Sequence, residues 1–288
     1  MIVAVASGKG GTGKTTVAAG LAVSMSAERK IQFLDCDVEE PDAHLFLRPS
    51  LSAKEPVFVP EPVVDQSLCD YCGRCMEVCA YNAIAVFERN VLVFPQLCHG
   101  CGGCSYFCPR RAITEKGRIA GVLEAGRSGN MDFAHAVLNI GEAQPVPLVK
   151  AVKKRLNPER LVIVDASPGT SCPVVEAVRG SGFCLLVTEP TPFGLHDLAM
   201  AVEMTEALKI PCGVVINRAD LKYDDIIENF CLSRSIPLLL KIPFSRAVAG
   251  FYARGISIAE GIPEWRETFR ELYQKVMVFS ETVACYKR

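Results

Sequence analysis

One stretch near the start of the chain, Gly8-Lys9-Gly10-Gly11-Thr12-Gly13-Lys14-Thr15, constrains the fold more than any other feature. It fits the pattern G-x4-G-K-[ST], which has meaning only between a strand and a helix. That context is present: residues 2–6 are an apolar run with β-branched members, and residues 15–27 read as a helix. Glycines in such a loop let backbone N–H groups wrap a phosphate, and the helix start adds a partial positive charge. Lys14 is placed to reach the β- and γ-phosphates and the Thr15 hydroxyl to hold Mg²⁺. Further mostly apolar, strand-like runs follow at 31–34, 161–164, 184–187, 213–216 and 238–242. Strands without alternation are buried on both faces, which predicts an α/β fold with a mostly parallel sheet covered by helices. These runs end on Asp35-Cys36-Asp37, Asp165, Thr188-Glu189-Pro190, Asn217 and Pro243, so polar candidates gather at strand carboxyl ends, where open α/β sheets bind ligands.

A second feature interrupts this pattern. Of 14 cysteines in 288 residues, eight form two copies of C-x2-C-x2-C-x3-C. Cys69, Cys72, Cys75 and Cys79 make the first copy; Cys98, Cys101, Cys104 and Cys108 repeat it 29 residues later. The repeat extends to Ala83-Ile84 and Ala112-Ile113. Pro49, Pro56, Pro60 and Pro62 precede it in a stretch with little periodicity, which reads as a linker. The expected organisation is a discontinuous P-loop domain, residues 1–62 and 117–288, holding a small α+β insert at 63–116.

The formal net charge of −1 implies no general attraction to nucleic acid. No apolar run is long enough to span a bilayer. The phosphate loop begins too early to leave room for a leader, and thiolate ligands need reducing conditions, so a cytoplasmic protein is expected.

The loop resembles the deviant Walker A motif of the MinD, ParA, Mrp and nitrogenase iron protein superfamily, because Lys9 stands where that family has a second lysine. The resemblance covers about residues 1–48 and 118–263. It implies an ATP- and Mg²⁺-dependent dimer in which Lys9 crosses to the partner's nucleotide. It also implies nucleotide contacts from Gly8, Lys9, Gly10, Gly11, Thr12, Gly13, Lys14, Thr15 and Thr16. Asp37 matches the residue that orients the attacking water, so Lys9, Lys14 and Asp37 are the expected catalytic set. Asp165 matches the Walker B aspartate that joins Thr15 at Mg²⁺. Gly169 matches a switch II glycine whose N–H senses the γ-phosphate. Asn217 and Arg218 match the adenine-contacting segment.

The cysteine repeat resembles two-cluster bacterial ferredoxins, where the fourth cysteine of each run ligates the other cluster. That implies two [4Fe-4S] clusters, one on Cys69, Cys72, Cys75 and Cys108, the other on Cys98, Cys101, Cys104 and Cys79. Pro109 follows Cys108 as in the family; Ala80 follows Cys79 instead. Zinc is the competing metal, although a triple C-x2-C-x2-C is not a usual zinc arrangement.

Cys36, Cys172, Cys184, Cys212, Cys231 and Cys285 contain no C-x2-C pair and read as small buried hydrophobes. Cys172 also follows switch II, where nitrogenase iron protein supplies a bridging-cluster ligand. Trp265, Phe269, Leu272, Tyr273 and Val276 form a helical stripe expected to dock on the core rather than on a membrane. The expected function is a nucleotide-gated homodimer, or heterodimer with a sister ATPase, that couples ATP to electron transfer toward an unidentified acceptor protein. The alternatives are an Fe–S scaffold or carrier, and a ParA/MinD-like positioning switch with redox-sensing clusters.

Overall fold

The computed structural model describes residues 1–219 and 224–286. A nine-stranded sheet organises the chain, in the order β11-β10-β9-β1-β8-β2-β7-β6-β3. The strands β1 (Ile2–Ala6), β2 (Ile31–Cys36), β7 (Met131–Leu138), β8 (Leu161–Ala166), β9 (Phe183–Thr188), β10 (Cys212–Ala219) and β11 (Leu238–Pro243) run parallel. Their continuous apolar runs are explained by two cores, one on each sheet face. Val3, Val5, Phe33, Ile163 and Leu185 face α1 (Lys14–Met25), α2 (Ala43–Leu47) and the C-terminal helix, while Ala4, Leu34, Val164 and Leu186 face the other side. That second side is covered by α5 (Val146–Lys153), α6 (Cys172–Val178), α7 (Pro192–Ala207) and α8 (Asp224–Ser233).

The last two strands break the parallel pattern. β3 (Ser50–Val64) and β6 (Ile113–Ser128) pair antiparallel from Ser50↔Arg127 to Val64↔Ile113, and β6 pairs antiparallel with β7 from Gly121↔Leu138 to Ser128↔Met131. The proline-rich stretch is therefore an edge strand and not a linker. Pro56, Pro60 and Pro62 fall at even spacing, so their missing N–H donors lie on one side of the strand, which an edge position tolerates. Beyond Gly121 the two strands leave β7 and continue as a ribbon.

The cysteine repeats sit at the end of this ribbon. One-turn helices α3 (Arg74–Glu77) and α4 (Gly103–Tyr106) lie 29 residues apart, as do strand starts at Ile84 and Ile113. Strands β4 (Ile84–Phe87) and β5 (Asn90–Val93) make a small separate hairpin. Left-handed backbone recurs at the same interval: Tyr71 and Gly100, Gly73 and Gly102, Asn82 and Arg111. The sequence repeat is thus a structural repeat, packed around Cys75, Ile84, Val91 and Ile113.

After β11 come α9 (Arg246–Tyr252), α10 (Ile258–Gly261) and α11 (Glu264–Tyr286). Phe269, Leu272, Tyr273 and Val276 of α11 are buried, as the stripe predicts. Phe269 lies over Gly20 of α1, where a Cβ would stand 2.5 Å from its ring. No helix of the described residues is long and apolar enough to cross a membrane. The cysteine expectation needs correction: Cys36, Cys184 and Cys231 are buried, but Cys212 is only partly so and Cys172, in the first turn of α6, is exposed. Cys285 lies outside the residues whose side chains are described.

Because Phe269 is fully buried in a fitted contact, Phe269→Ala is expected to cost about 3–5 kcal/mol. Val278→Ala, at an exposed position of the same helix, should change stability by less than about 0.5 kcal/mol. Urea titration of the two variants checks this contrast.

Candidate functional site

The loop between β1 and α1 leaves the carboxyl end of β1, the strand between β8 and β9. Gly13 caps α1 with φ 91°, a left-handed conformation that disfavours a side chain. A Cβ there would also stand 2.3 Å from the Asn217 amide nitrogen. That nitrogen donates to the Thr12 carbonyl at 2.8 Å, and Asn217 Oδ1 accepts from the Arg218 N–H at 2.9 Å. Both polar ends of Asn217 are therefore engaged within the chain, fastening the loop. Each end keeps one further hydrogen-bonding position, and Asn217 lines the cavity described below.

Lys14 faces two carboxylates, Asp37 and Asp165, and a third, Asp35, lies behind them. Asp35 and Asp165 are register partners on neighbouring strands, both buried. Asp35 Oδ1 accepts from the Asp37 N–H and Oδ2 from the Ala43 N–H, each at 3.1 Å, which pins the loop between β2 and α2 at both ends. Burial, followed by the neighbouring Asp165, pushes the Asp35 carboxyl well up. Burial raises Asp165 to about 7 and Asp37 to about 6, with Lys14 opposing in both. Neither Asp165 oxygen has a hydrogen-bond partner. The Thr15 hydroxyl lies close enough to lower the Asp165 value, and a buried carboxylate beside a hydroxyl at the start of a phosphate loop suits a bound cation.

A cavity of about 430 Å³ opens over these groups. Gly10, Gly11, Gly13, Lys14, Thr15, Thr16, Asp37, Asn217 and Arg218 line it. Phe244, Val248 and Tyr252, from the end of β11 and from α9, form an apolar wall that sequence reasoning missed. The rule that ligands sit at strand carboxyl ends, applied to Pro243, was the signal available for it.

Besides Asp165, which is buried, four predicted residues do not line the cavity. Gly8 backs onto Asp197, whose carbonyl oxygen would be 2.1 Å from a Cβ. Thr12 is buried behind the loop. Gly169, at φ 94°, donates its N–H to the Ser7 carbonyl at 2.9 Å, so here that donor faces the chain and not the cavity. Lys9 Nζ lies 3.6 Å from Glu189 Oε1, while Arg218 Nη1 reaches Glu189 Oε2 at 3.2 Å. Glu189 thereby ties two expected nucleotide contacts together within one chain.

The eight repeat cysteines line two separate small cavities. Cys69, Cys72, Cys75 and Cys108 surround one; Cys98, Cys101, Cys104 and Cys79 surround the other. Backbone N–H groups point at four of the sulfurs: Tyr71 to Cys69 and Gly100 to Cys98 at 3.4 Å, Ala83 to Cys79 and Ala112 to Cys108 at 3.3 Å. Burial raises the Cys75 and Cys98 thiols and lifts Cys104 to about 11. Among the described residues no three His, Cys, Asp or Glu side chains converge closely enough to hold a single metal ion.

Residues 3–258 match the CobQ/CobB/MinD/ParA nucleotide binding domain. The chain belongs to that family. It is a P-loop ATPase of the MinD/ParA type. Two uncharacterized proteins of Methanocaldococcus jannaschii are similar to it. MJ0578 is 30% identical over 283 residues, covering 97% of each chain, and MJ0579 is 32% identical over 284 residues, covering 89% of this chain and 91% of the relative. Among solved structures, the septum site-determining protein MinD of Pyrococcus horikoshii, complexed with Mg-ADP, superposes with a TM-score of 0.61 at 19% identity, over 96% of this chain and 95% of that one. The cell division ATPase MinD of Pyrococcus furiosus gives 0.59 at 21%, over 96% and 98%. At these identities the likeness is one of fold.

In this MinD/ParA-type ATPase, Asp165→Asn is expected to raise the melting temperature of nucleotide-free protein at pH 8. The same change should remove the dependence of nucleotide affinity on Mg²⁺. The folded value of about 7 lies above the ordinary 3.8, so the stability from this group is complete below the ordinary value and is lost as pH rises through 7. The gain on substitution is therefore largest above about pH 7 and absent below about pH 4. Melting curves at the two pH values, and nucleotide titrations with and without Mg²⁺, check both halves.

Proposed function

We propose that this ATPase carries two [4Fe-4S] clusters in a ferredoxin-like insert, residues 63–116, and uses ATP to gate electron transfer through them to a partner protein. The observation that carries the reading is how the thiols sort. Each cavity takes three cysteines from one repeat and the fourth from the other, as a two-cluster ferredoxin would require. The backbone N–H groups aimed at sulfur add support, because such bonds stabilise thiolate and help set cluster potential. Raised thiol values mean that loading must drive protons off, so cluster assembly should release acid.

On the nucleotide side, Thr15 and Asp165 would hold Mg²⁺, which supplies charge neutralisation to the phosphates. Lys14 and the N–H groups of the loop bind the β- and γ-phosphates. Asp37 accepts a hydrogen bond from the attacking water and orients it; at neutral pH it is mostly ionised, as that role needs. The apolar wall of Phe244, Val248 and Tyr252 suits the nucleoside end of the ligand. A closed dimer would require Lys9 to leave Glu189 and reach across to the second nucleotide. Two relatives in one organism, each matching most of this chain, are compatible with pairing to a sister chain as well as with a homodimer.

The test is anaerobic reconstitution followed by ATP hydrolysis with the clusters oxidised and then reduced by dithionite. About eight irons per chain and a rate that changes with redox state are expected. Eight irons with an unchanged rate would sink the coupling; one or two metal ions per chain and no sulfide would sink the clusters. Two variants separate the parts. Lys14→Ala should abolish nucleotide binding and leave iron content intact. Cys101→Ala should halve the iron and leave nucleotide binding intact.

A further inference from the structure

The two cysteine repeats place equivalent side chains 29 residues apart, so each thiol cavity is a control for the other. Each holds one buried, two part-buried and one exposed cysteine. In each, one sulfur accepts from a backbone N–H at 3.4 Å (Cys69, Cys98) and one at 3.3 Å (Cys108, Cys79). Exposure and hydrogen bonds to sulfur both help set the potential of an iron–sulfur cluster, and here they match between the cavities. The charge around the cavities does not match.

A pair of side chains, one from each repeat, lines each cavity at equivalent positions. At the first, Asp70 and Arg110 form an ion pair at 2.9 Å. At the second, the same positions are His99 and Tyr81, whose rings stack with centroids 3.5 Å apart. Arg74 also lines the first cavity, and its counterpart in the second repeat is Gly103. Glu115 lines the second cavity, where its carboxylate accepts from the Ser105 hydroxyl at 2.9 Å, and its counterpart at the first is Val86. The first lining therefore carries two arginines and one aspartate, the second one glutamate and no lysine or arginine. Glu77 meets Arg74 at 3.8 Å from outside the lining; with it counted, the first cavity is still the more positive. Arg118, which lies near Cys98, does not offset this, because Glu61 and Glu142 match it and Lys116.

We propose that Arg74, Arg110 and Glu115 set the two clusters apart in potential, so that the cluster on Cys69, Cys72, Cys75 and Cys108 takes an electron first. This rests on the reading above that both cavities hold [4Fe-4S] clusters. Reduction adds one negative charge, which the arginines at the first cavity favour and Glu115 at the second opposes. The first cavity lies at the ribbon tip, beside the last pair Val64 and Ile113, whereas Pro60 and Pro62 line the second, nearer the body. One electron taken from an external reductant therefore rests on the outer cluster and leaves the inner one oxidised.

The experiment is a dithionite redox titration of the reconstituted whole chain at pH 8, followed by electron paramagnetic resonance, with iron and sulfide counted in the same sample. Two one-electron waves are expected, with reduction equilibria at least about threefold apart, which is about 28 mV at 59 mV per tenfold. Raising salt should narrow the gap, because these side chains face solvent. Glu115→Gln should move only the lower wave, upward. The double variant Arg74→Gln/Arg110→Gln should move only the higher wave, downward. All three residues are exposed, so the variants keep the fold, and an unchanged iron content checks this. About eight irons with coincident waves, with variants that move neither wave, or with Glu115→Gln moving the higher one, overturns this proposal and leaves the clusters standing. One or two metal ions per chain and no sulfide would overturn the cluster reading, and this proposal with it.

Discussion

Asp35 and Asp165 end neighbouring parallel strands side by side, out of reach of water, and Lys14 is the cation that opposes the charge of Asp165. Burying two carboxylates this closely is unfavourable unless positive charge is supplied. Lys14 supplies part of it, from the first turn of a helix whose free N–H groups add more. What is left over is an excess of negative charge next to a loop shaped for phosphate. A divalent cation arriving with a nucleotide would complete the balance, so the electrostatics of these residues favour uptake of the two together.

The same carboxylates connect that balance to the rest of the chain. Asp35 holds the backbone of Asp37 and Ala43, so both ends of the loop between β2 and α2 answer to its position. The loop is also held at Val38, whose carbonyl accepts from the Leu138 N–H at 2.9 Å. Five residues of α2 then lead into β3, and β3 is one rail of the ribbon that bears the cysteine repeats. Few residues separate Asp37 from that rail. A shift of the loop when phosphate binds would be passed along hydrogen-bonded backbone and not through a flexible tether.

How much of this was legible in sequence depends on how local each determinant is. The phosphate loop, the strand ends and the docking of Phe269 follow from spacing within short windows, and the fold bears them out. The grouping of the eight cysteines came from the resemblance to two-cluster ferredoxins, since the 29-residue repeat by itself does not show that the fourth cysteine crosses to the other half. The ribbon was not readable. Its prolines argue against a strand when neighbours are unknown, and only the partner β6, some fifty residues later, makes an edge position of them. Asn217 is another such case: its bond to Thr12 spans 205 residues, and nothing near Asn217 signals it. The apolar wall at Phe244 and Tyr252 depends on where α9 packs, which is tertiary information. Cys172 misled for a different reason, since a helix's first turn can face solvent even when the helix lies against the sheet.

The prolines of β3 have one more effect. A long, exposed strand at the end of a sheet ordinarily offers a row of unpaired donors to any passing chain. Here three of the donors on one side are missing, at Pro56, Pro60 and Pro62. The stalk that carries the cysteine repeats can therefore project from the body without templating another strand. It is protected against self-association by the same residues that made it look unstructured.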